Sequence, residues 1–77
     1  MSQTGCQGTS TWEYQNGQWV LTQNDCGGDC LSGFACSPQT PSSVLGDPAA
    51  EAEYPQYIDI LTSPQPGNTV QLGCICQ

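Results

Sequence analysis

Apolar and polar residues alternate most clearly in two segments that flank the pair Asn16-Gly17. An Asn-Gly pair in this position supplies the positive φ angles of a tight type I′ turn. The pattern therefore predicts an antiparallel β-hairpin over about residues 11–22. With a two-residue loop, Gln15 faces Gln18 and the rest of the hairpin register follows from that pair.

The predicted register places the densest apolar cluster of the chain on one face of the hairpin. A second alternating run, over about residues 69–76, predicts a C-terminal strand with Val70, Leu72, Cys74 and Cys76 on one side. Because an isolated hairpin is marginal in water, we expect this strand to dock on it. The predicted core consists of Trp12, Tyr14, Trp19, Leu21, Val70 and Leu72.

The middle of the chain carries few regular signals. Residues 24–36 are a Gly-rich segment with three cysteines, which predicts a loop. Residues 37–48 and 63–68 are rich in proline, serine and threonine or asparagine, which favours extended loops and turns.

Two short elements are predicted within this middle region. Residues 48–54 form a possible short helix, with Asp47 as N-cap, Pro48 in the first position and Pro55 ending it. Residues 56–62 predict a short strand, because apolar residues are dense there and turn residues follow.

Six cysteines in 77 residues change this picture. An apolar core of this size alone supplies only a few kcal/mol of net stability, about 3–5. An even number of cysteines in a short chain predicts a disulfide framework, hence one small, disulfide-rich, mainly β domain over residues 1–77. The predicted disulfide cysteines are Cys6, Cys26, Cys30, Cys36, Cys74 and Cys76.

The pairing of these cysteines is only partly limited by the sequence. A direct bridge between Cys74 and Cys76 is unfavourable, because both point to the same face of one strand. We expect them to pair with Cys6 or with the loop between Cys26 and Cys36.

Zinc is the main alternative to disulfides. Cys26, Cys30, Cys74 and Cys76 offer four thiolates, although the second pair is spaced more tightly than usual. The chain also has no basic residue to offset a four-thiolate site. We therefore expect disulfides and no metal or other cofactor. Nucleophilic cysteine chemistry is disfavoured further, because no His, Lys or Arg is present to activate a thiolate.

The charge of the chain is one-sided: seven carboxylates and no Lys, Arg or His give a net charge of -7. Nucleic-acid binding depends on basic residues that neutralise phosphates, so we expect no nucleic-acid partner. Anionic membranes repel the same surface, and no apolar run reaches the length of a membrane span. The expected partners are therefore other proteins.

Catalytic signals are weak. The closest carboxylate pairs are Asp25 with Asp29 and Glu51 with Glu53, and nothing predicts a cleft around them. The segment 24–29 lacks the ligand spacing of an EF-hand calcium loop. We expect no enzymatic activity and no small-molecule substrate.

Tyr54 and Tyr57, on either side of Pro55, are the candidate interaction residues. The alternative is that these two rings pack the long middle segment onto the sheet.

Localisation is predicted from the cysteines and the N-terminus together. Disulfides persist in oxidising surroundings, yet residues 1–6 show neither a basic region nor an apolar stretch typical of a secretory signal. We therefore expect an extracellular or virion protein. The chain would reach this location after removal of a leader, by cell lysis or by specialised export.

Several features occur together along the chain: Cys6, the Trp12 to Leu21 hairpin, Asn24-Asp25-Cys26-x3-Cys30, a Pro-rich middle, and Pro66-Gly67 followed by Val70 and Cys74-x-Cys76. In this combination the chain resembles small Cys-rich modules of tailed-phage and environmental bacterial proteins. The resemblance covers residues 6–36 and 64–76. It implies a virion or surface component that is made in the cytoplasm and oxidises after release.

The function expected from the sequence is therefore a structural accessory of an extracellular assembly, such as a capsid decoration (cement) protein or a small tail protein of a phage. It would stabilise that assembly through protein–protein contacts. Two alternatives stay open, namely a secreted disulfide-rich effector or inhibitor and a small Cys-based metal-binding protein.

Overall fold

A computed structural model describes residues 5–77 and shows a small, disulfide-rich, mainly β fold, as predicted. The strands are β1 (Cys6–Gln7), β2 (Ser10–Gln15), β3 (Gln18–Asn24), β4 (Gly27–Gly28), β5 (Cys36–Pro38), β6 (Thr69–Leu72) and β7 (Cys74–Cys76). The helices are α1 (Pro41–Leu45), α2 (Pro48–Glu53) and α3 (Ile58–Thr62), with a 3₁₀ turn at Pro55–Tyr57. Residues 1–4, which belong to the predicted domain and to the N-terminal segment that lacks the pattern of a secretory signal, lie outside the described residues.

The strands form three small antiparallel sheets. The order in the largest is β3-β2-β6, while β1 pairs with β4 and β5 pairs with β7. None of the helices in the described part of the chain has the length and apolar character needed to cross a membrane.

The hairpin β2–β3 has the predicted register, with Gln15 opposite Gln18 and Tyr14 opposite Trp19. Asn16 and Gly17 both have positive φ angles, +52° and +82°, as a type I′ turn requires. The hairpin is longer than the predicted 11–22 and extends over residues 10–24. A β-bulge at Thr22 shifts the register of its outer end.

The predicted C-terminal strand, residues 69–76, is two strands in two different sheets. β6 docks antiparallel on β2, as expected, whereas β7 pairs with β5. The break occurs at Gly73, whose N–H donates to the Tyr54 hydroxyl and whose carbonyl accepts from the Gln39 N–H. These two bonds direct the chain from one sheet to the other.

Residues 37–48, predicted as an extended loop, instead contain the end of β5 and helix α1. The helix begins with a capping box, in which Thr40 Oγ1 accepts from the Ser43 N–H and Ser43 Oγ accepts from the Thr40 N–H. Pro41 occupies the first helical position, where a missing N–H has no cost. The prediction failed because proline was read as a loop signal when it marks a helix start. Residues 63–68 do form a loop.

Helix α2 confirms the predicted short helix, since Asp47 Oδ1 accepts from the Ala49 N–H and Pro48 follows it. The strand predicted at residues 56–62 is wrong, because this segment forms the 3₁₀ turn and α3. Tyr57, Ile60 and Leu61 are three and four residues apart, so a helix places all three on one face. That face packs on the core, with Leu61 buried.

The core lies between the helical segment and β6. Its buried apolar residues are Val44, Ala50, Leu61, Val70 and Leu72. Trp12 and Trp19 pack against this group as half-buried side chains, and Tyr14 meets Trp19 edge to face at 5.3 Å between ring centroids. Val70 and Leu72 were correctly predicted as core, whereas Leu21 is 36% exposed and was not. Leu21 lies on β3, the edge strand that β2 separates from β6.

The two leucines provide a test of this core. Leu72→Ala should lower the free energy of unfolding by about 2–5 kcal/mol, because it empties a fully buried site. Leu21→Ala is the matched control and should cost clearly less. Chemical denaturation of the oxidised variants measures both, and an equal or larger loss for Leu21→Ala would contradict this core.

Candidate functional site

All six cysteines form disulfides, so the predicted framework of three bridges is confirmed. The pairs are Cys6–Cys36, Cys26–Cys74 and Cys30–Cys76. Their Cα atoms are 5.6–5.8 Å apart, within the usual range for a disulfide. Cys74 and Cys76 reach back separately to the loop between Cys26 and Cys36, as expected.

Two of these bridges meet at the β5–β7 sheet. Cys36 and Cys76 lie opposite each other in this ladder, yet each is bonded to a cysteine from another part of the chain. Cys36 is joined to β1 through Cys6, and Cys76 is joined through Cys30 to the loop after β4. The two-stranded sheet therefore becomes the attachment point for the N-terminal part of the molecule.

The sulfur atoms of these two bridges form a compact group, which we call the sulfur cluster: Cys6, Cys30, Cys36 and Cys76. Between different bridges, the Sγ atom of Cys6 lies 3.4 Å from that of Cys30 and 3.5 Å from that of Cys76. The Cys30 and Cys36 Sγ atoms are also 3.4 Å apart. All four atoms lie within 4.8 Å of one another, and all four residues are half-buried.

Close backbone packing beside the cluster explains part of the glycine content of the loop 24–36. A Cβ atom at Gly28 would lie 2.1 Å from the Gly5 carbonyl oxygen, and Gly28 has a φ of +116°. β1 and β4 can pair only because glycine stands at this position. Cys6 lies opposite Gly28 in that pair, so its position relative to the loop is defined by backbone contacts as well as by its disulfide.

The structure does not bring together the four cysteines of the zinc alternative, and it uses polar side chains of the loop 24–29 in internal hydrogen bonds. Cys26 and Cys74, two of the four ligands of the zinc alternative, form a bridge outside the sulfur cluster, which contains Cys6 and Cys36 instead. In the loop 24–29, Asn24 Oδ1 accepts from the Cys26 N–H, and Asp25 Oδ2 accepts from Gln23. Among residues 5–77, the sulfur cluster is the group of potential metal ligands that lies together.

Tyr54 and Tyr57 use their hydroxyl groups inside the molecule. Tyr54 Oη accepts from the Gly73 N–H at 2.8 Å and donates to Gln39 Oε1 at 2.7 Å. Tyr57 Oη accepts from the Gln71 N–H at 3.4 Å, and the two rings stack at 6.2 Å between centroids. These contacts agree with the alternative that the two tyrosine rings pack the middle segment against the sheet, here against the C-terminal strands. The role of the two half-buried rings in contacting a partner stays a prediction.

Three exposed apolar side chains belong to residues that are close in sequence to cysteines of the sulfur cluster. Leu31 follows Cys30, Phe34 precedes Cys36 by two residues, and Ile75 precedes Cys76; they are 46%, 48% and 38% exposed. We call them the apolar end. This group is absent from the sequence-based predictions, although strict alternation around Cys74 and Cys76 places Ile75 on the face opposite the cysteines. The exposure of Leu31 and Phe34 has no comparable signal in the sequence.

No cavity or cleft is found among residues 5–77. Comparison with protein-family models, with curated proteins and with solved structures gives no match to this chain.

The Tyr54 contacts lead to a stability prediction. Tyr54→Phe should lower the free energy of unfolding by about 1–3 kcal/mol, because Gly73 and the buried Gln39 side chain each lose a hydrogen-bond partner. Tyr14→Phe is the control, since the Tyr14 hydroxyl makes no hydrogen bond within the described residues. Chemical denaturation compares the two, and equal effects would show that the Tyr54 hydroxyl does not stabilise the fold.

Proposed function

We propose that this protein is a non-enzymatic structural accessory of an extracellular assembly, and specifically a phage virion component such as a capsid decoration (cement) protein or a small tail protein. It stabilises the assembly through protein–protein contacts. The observation that carries the proposal is the apolar end, three exposed apolar side chains held on a disulfide-linked frame.

The apolar end has the chemistry of the centre of a protein interface. Aromatic residues are enriched in interface cores, and charged residues are depleted there. Phe34 and Leu31 belong to a short turn closed by the Phe34 N–H donating to the Leu31 carbonyl at 3.0 Å. Because this turn lies between two cross-linked cysteines, Cys30 and Cys36, it loses little conformational freedom when a partner covers it.

The backbone next to Phe34 is also held in place. The Ala35 N–H donates to the Gln77 carbonyl and the Gln77 N–H donates to the Ala35 carbonyl, each at 2.9 Å. This pair of bonds continues the β5–β7 ladder beyond the strands. Leu31, Phe34 and Ile75 are thus presented from one stapled unit, which suits a permanent contact with a larger particle.

Charge and redox chemistry support the same type of partner. With a net charge of -7 and no basic residue, the chain offers nothing to neutralise phosphates but is complementary to basic residues on a protein surface. Three disulfides are compatible with an extracellular location, where released particles reside.

The experiment tests two points: whether the chain is bound to an extracellular particle, and whether it binds through its apolar end. Particles released from cultures that express the chain at its own locus are purified by density gradient and analysed by mass spectrometry. The wild-type chain should sediment with the particles. Leu31→Ser with Phe34→Ser should reduce its occupancy at least about tenfold, because a hot-spot residue at the centre of an interface costs about 2 kcal/mol or more when it is truncated.

The matched control is Leu21→Ser, which alters an exposed leucine on the hairpin and should leave occupancy unchanged. Circular dichroism of each purified variant verifies that the chain is folded. A wild-type chain that is found only as a free monomer would contradict the virion proposal. A double variant that binds as well as the control would contradict the role of the apolar end.

A further inference from the structure

The sulfur cluster brings together four cysteines from four separate segments of the chain. Cys6 lies on β1, Cys30 in the loop after β4, Cys36 on β5 and Cys76 on β7. In the oxidised protein they form two disulfides, yet sulfur atoms of different bridges are only 3.4–3.5 Å apart. The four sulfur atoms therefore form one compact group, all within 4.8 Å of one another.

We propose that the reduced chain binds one Zn²⁺ ion through Cys6, Cys30, Cys36 and Cys76. This site is independent of the apolar end and goes beyond the proposed structural role. It also differs from the four cysteines whose spacing suggested a zinc site, because Cys26 and Cys74 are replaced by Cys6 and Cys36.

The geometry requires little rearrangement. Zinc–sulfur bonds of about 2.3 Å in a tetrahedron place the sulfur atoms about 3.8 Å apart. Three of the four contacts between different bridges are already close to this separation, and the fourth, between Cys36 and Cys76, is within 4.8 Å. The main rearrangement is that the two bonded pairs move apart.

Backbone hydrogen bonds of the folded chain also bring the ligand-bearing segments beside one another. Cys36 lies opposite Cys76 in the β5–β7 ladder, and Cys6 lies opposite Gly28 in the β1–β4 pair. Gly28 is two residues from Cys30. The Asp29 N–H donates to the Gly5 carbonyl at 3.2 Å, which holds this loop beside β1. Zinc would then replace the covalent cross-links of the cluster with coordinate bonds.

A dithiol reductant converts the oxidised cluster into its reduced form. Each disulfide accepts two electrons and two protons, its S–S bond breaks to give two thiols, and the dithiol becomes a disulfide. Binding of Zn²⁺ then displaces the four thiol protons to solvent, which leaves a four-thiolate site with a charge of 2−. Since each ligand must lose a proton, zinc binding should weaken as the pH falls.

The two forms suit two environments. A reducing compartment favours the zinc form, in which the site contributes to folding, and an oxidising one favours the disulfide form. A chain with this site would be able to fold before it is oxidised.

The first test uses the wild-type chain, fully reduced under argon and mixed with one equivalent of Zn²⁺. Native mass spectrometry should show one bound ion. Brief alkylation followed by peptide mass analysis should then modify Cys26 and Cys74 and spare the sulfur cluster. Equal modification of all six cysteines, or protection of Cys26 and Cys74 instead, would overturn the proposal.

The second test uses two double variants that each keep four cysteines. Cys26→Ser with Cys74→Ser retains the cluster and should bind Co²⁺, used as a spectroscopic probe, with the absorption of a tetrahedral thiolate site. Cys6→Ser with Cys36→Ser removes two ligands and retains the set suggested by spacing. It should bind at least about 100-fold more weakly, because losses of this size already follow from changes around zinc ligands. Equal binding by both variants, stronger binding by the second, or no binding by the first would contradict the site.

Discussion

The rest of the structure depends on the covalent attachment of β7 to the first half of the chain. Two of its cysteines are bonded to residues 46 and 48 positions earlier, so both bridges close long loops. In the chain-entropy model, cross-links of this kind stabilise a fold by restricting the unfolded state, typically by about 2–4 kcal/mol each. A two-stranded sheet such as β5–β7 is not stable alone in water. Without cross-links, the remaining interactions of β7 and of the segments attached to it would not be sufficient to hold them in the folded arrangement.

The molecule is thus stabilised in two different ways. The helical segment, β2 and β6 enclose the apolar core, which centres on Val44 and Leu72. The opposite part of the chain, around β1, β4, β5 and β7, contributes none of the buried apolar residues in the described chain and depends on disulfides. Because cross-links hold this part, its apolar side chains need not be buried. Phe34 and its neighbours at the apolar end remain available for a partner.

Local signals in the sequence predicted the local elements. Asn16-Gly17 and Asp47-Pro48 each determine a turn or a helix start through their own backbone geometry, and both were interpreted correctly. The helix within residues 56–62 and the break at Gly73 were not predicted, because both depend on contacts with residues far away in sequence. Leu61 is buried by the rest of the fold, and the Gly73 N–H donates to the Tyr54 hydroxyl. The cysteines were identified as disulfide-bonded, but their partners follow from which strands pair. The composition of the sulfur cluster therefore required the structure.

The disulfide pattern is the measurement that tests this account most directly. The oxidised chain is digested without reduction, at acidic and large apolar residues because it has no lysine or arginine, and the linked peptides are sequenced by mass spectrometry. We expect no free thiol and the pairs Cys6–Cys36, Cys26–Cys74 and Cys30–Cys76. Bridges from Cys74 and Cys76 to any other cysteines, or free thiols in the folded oxidised chain, would contradict it.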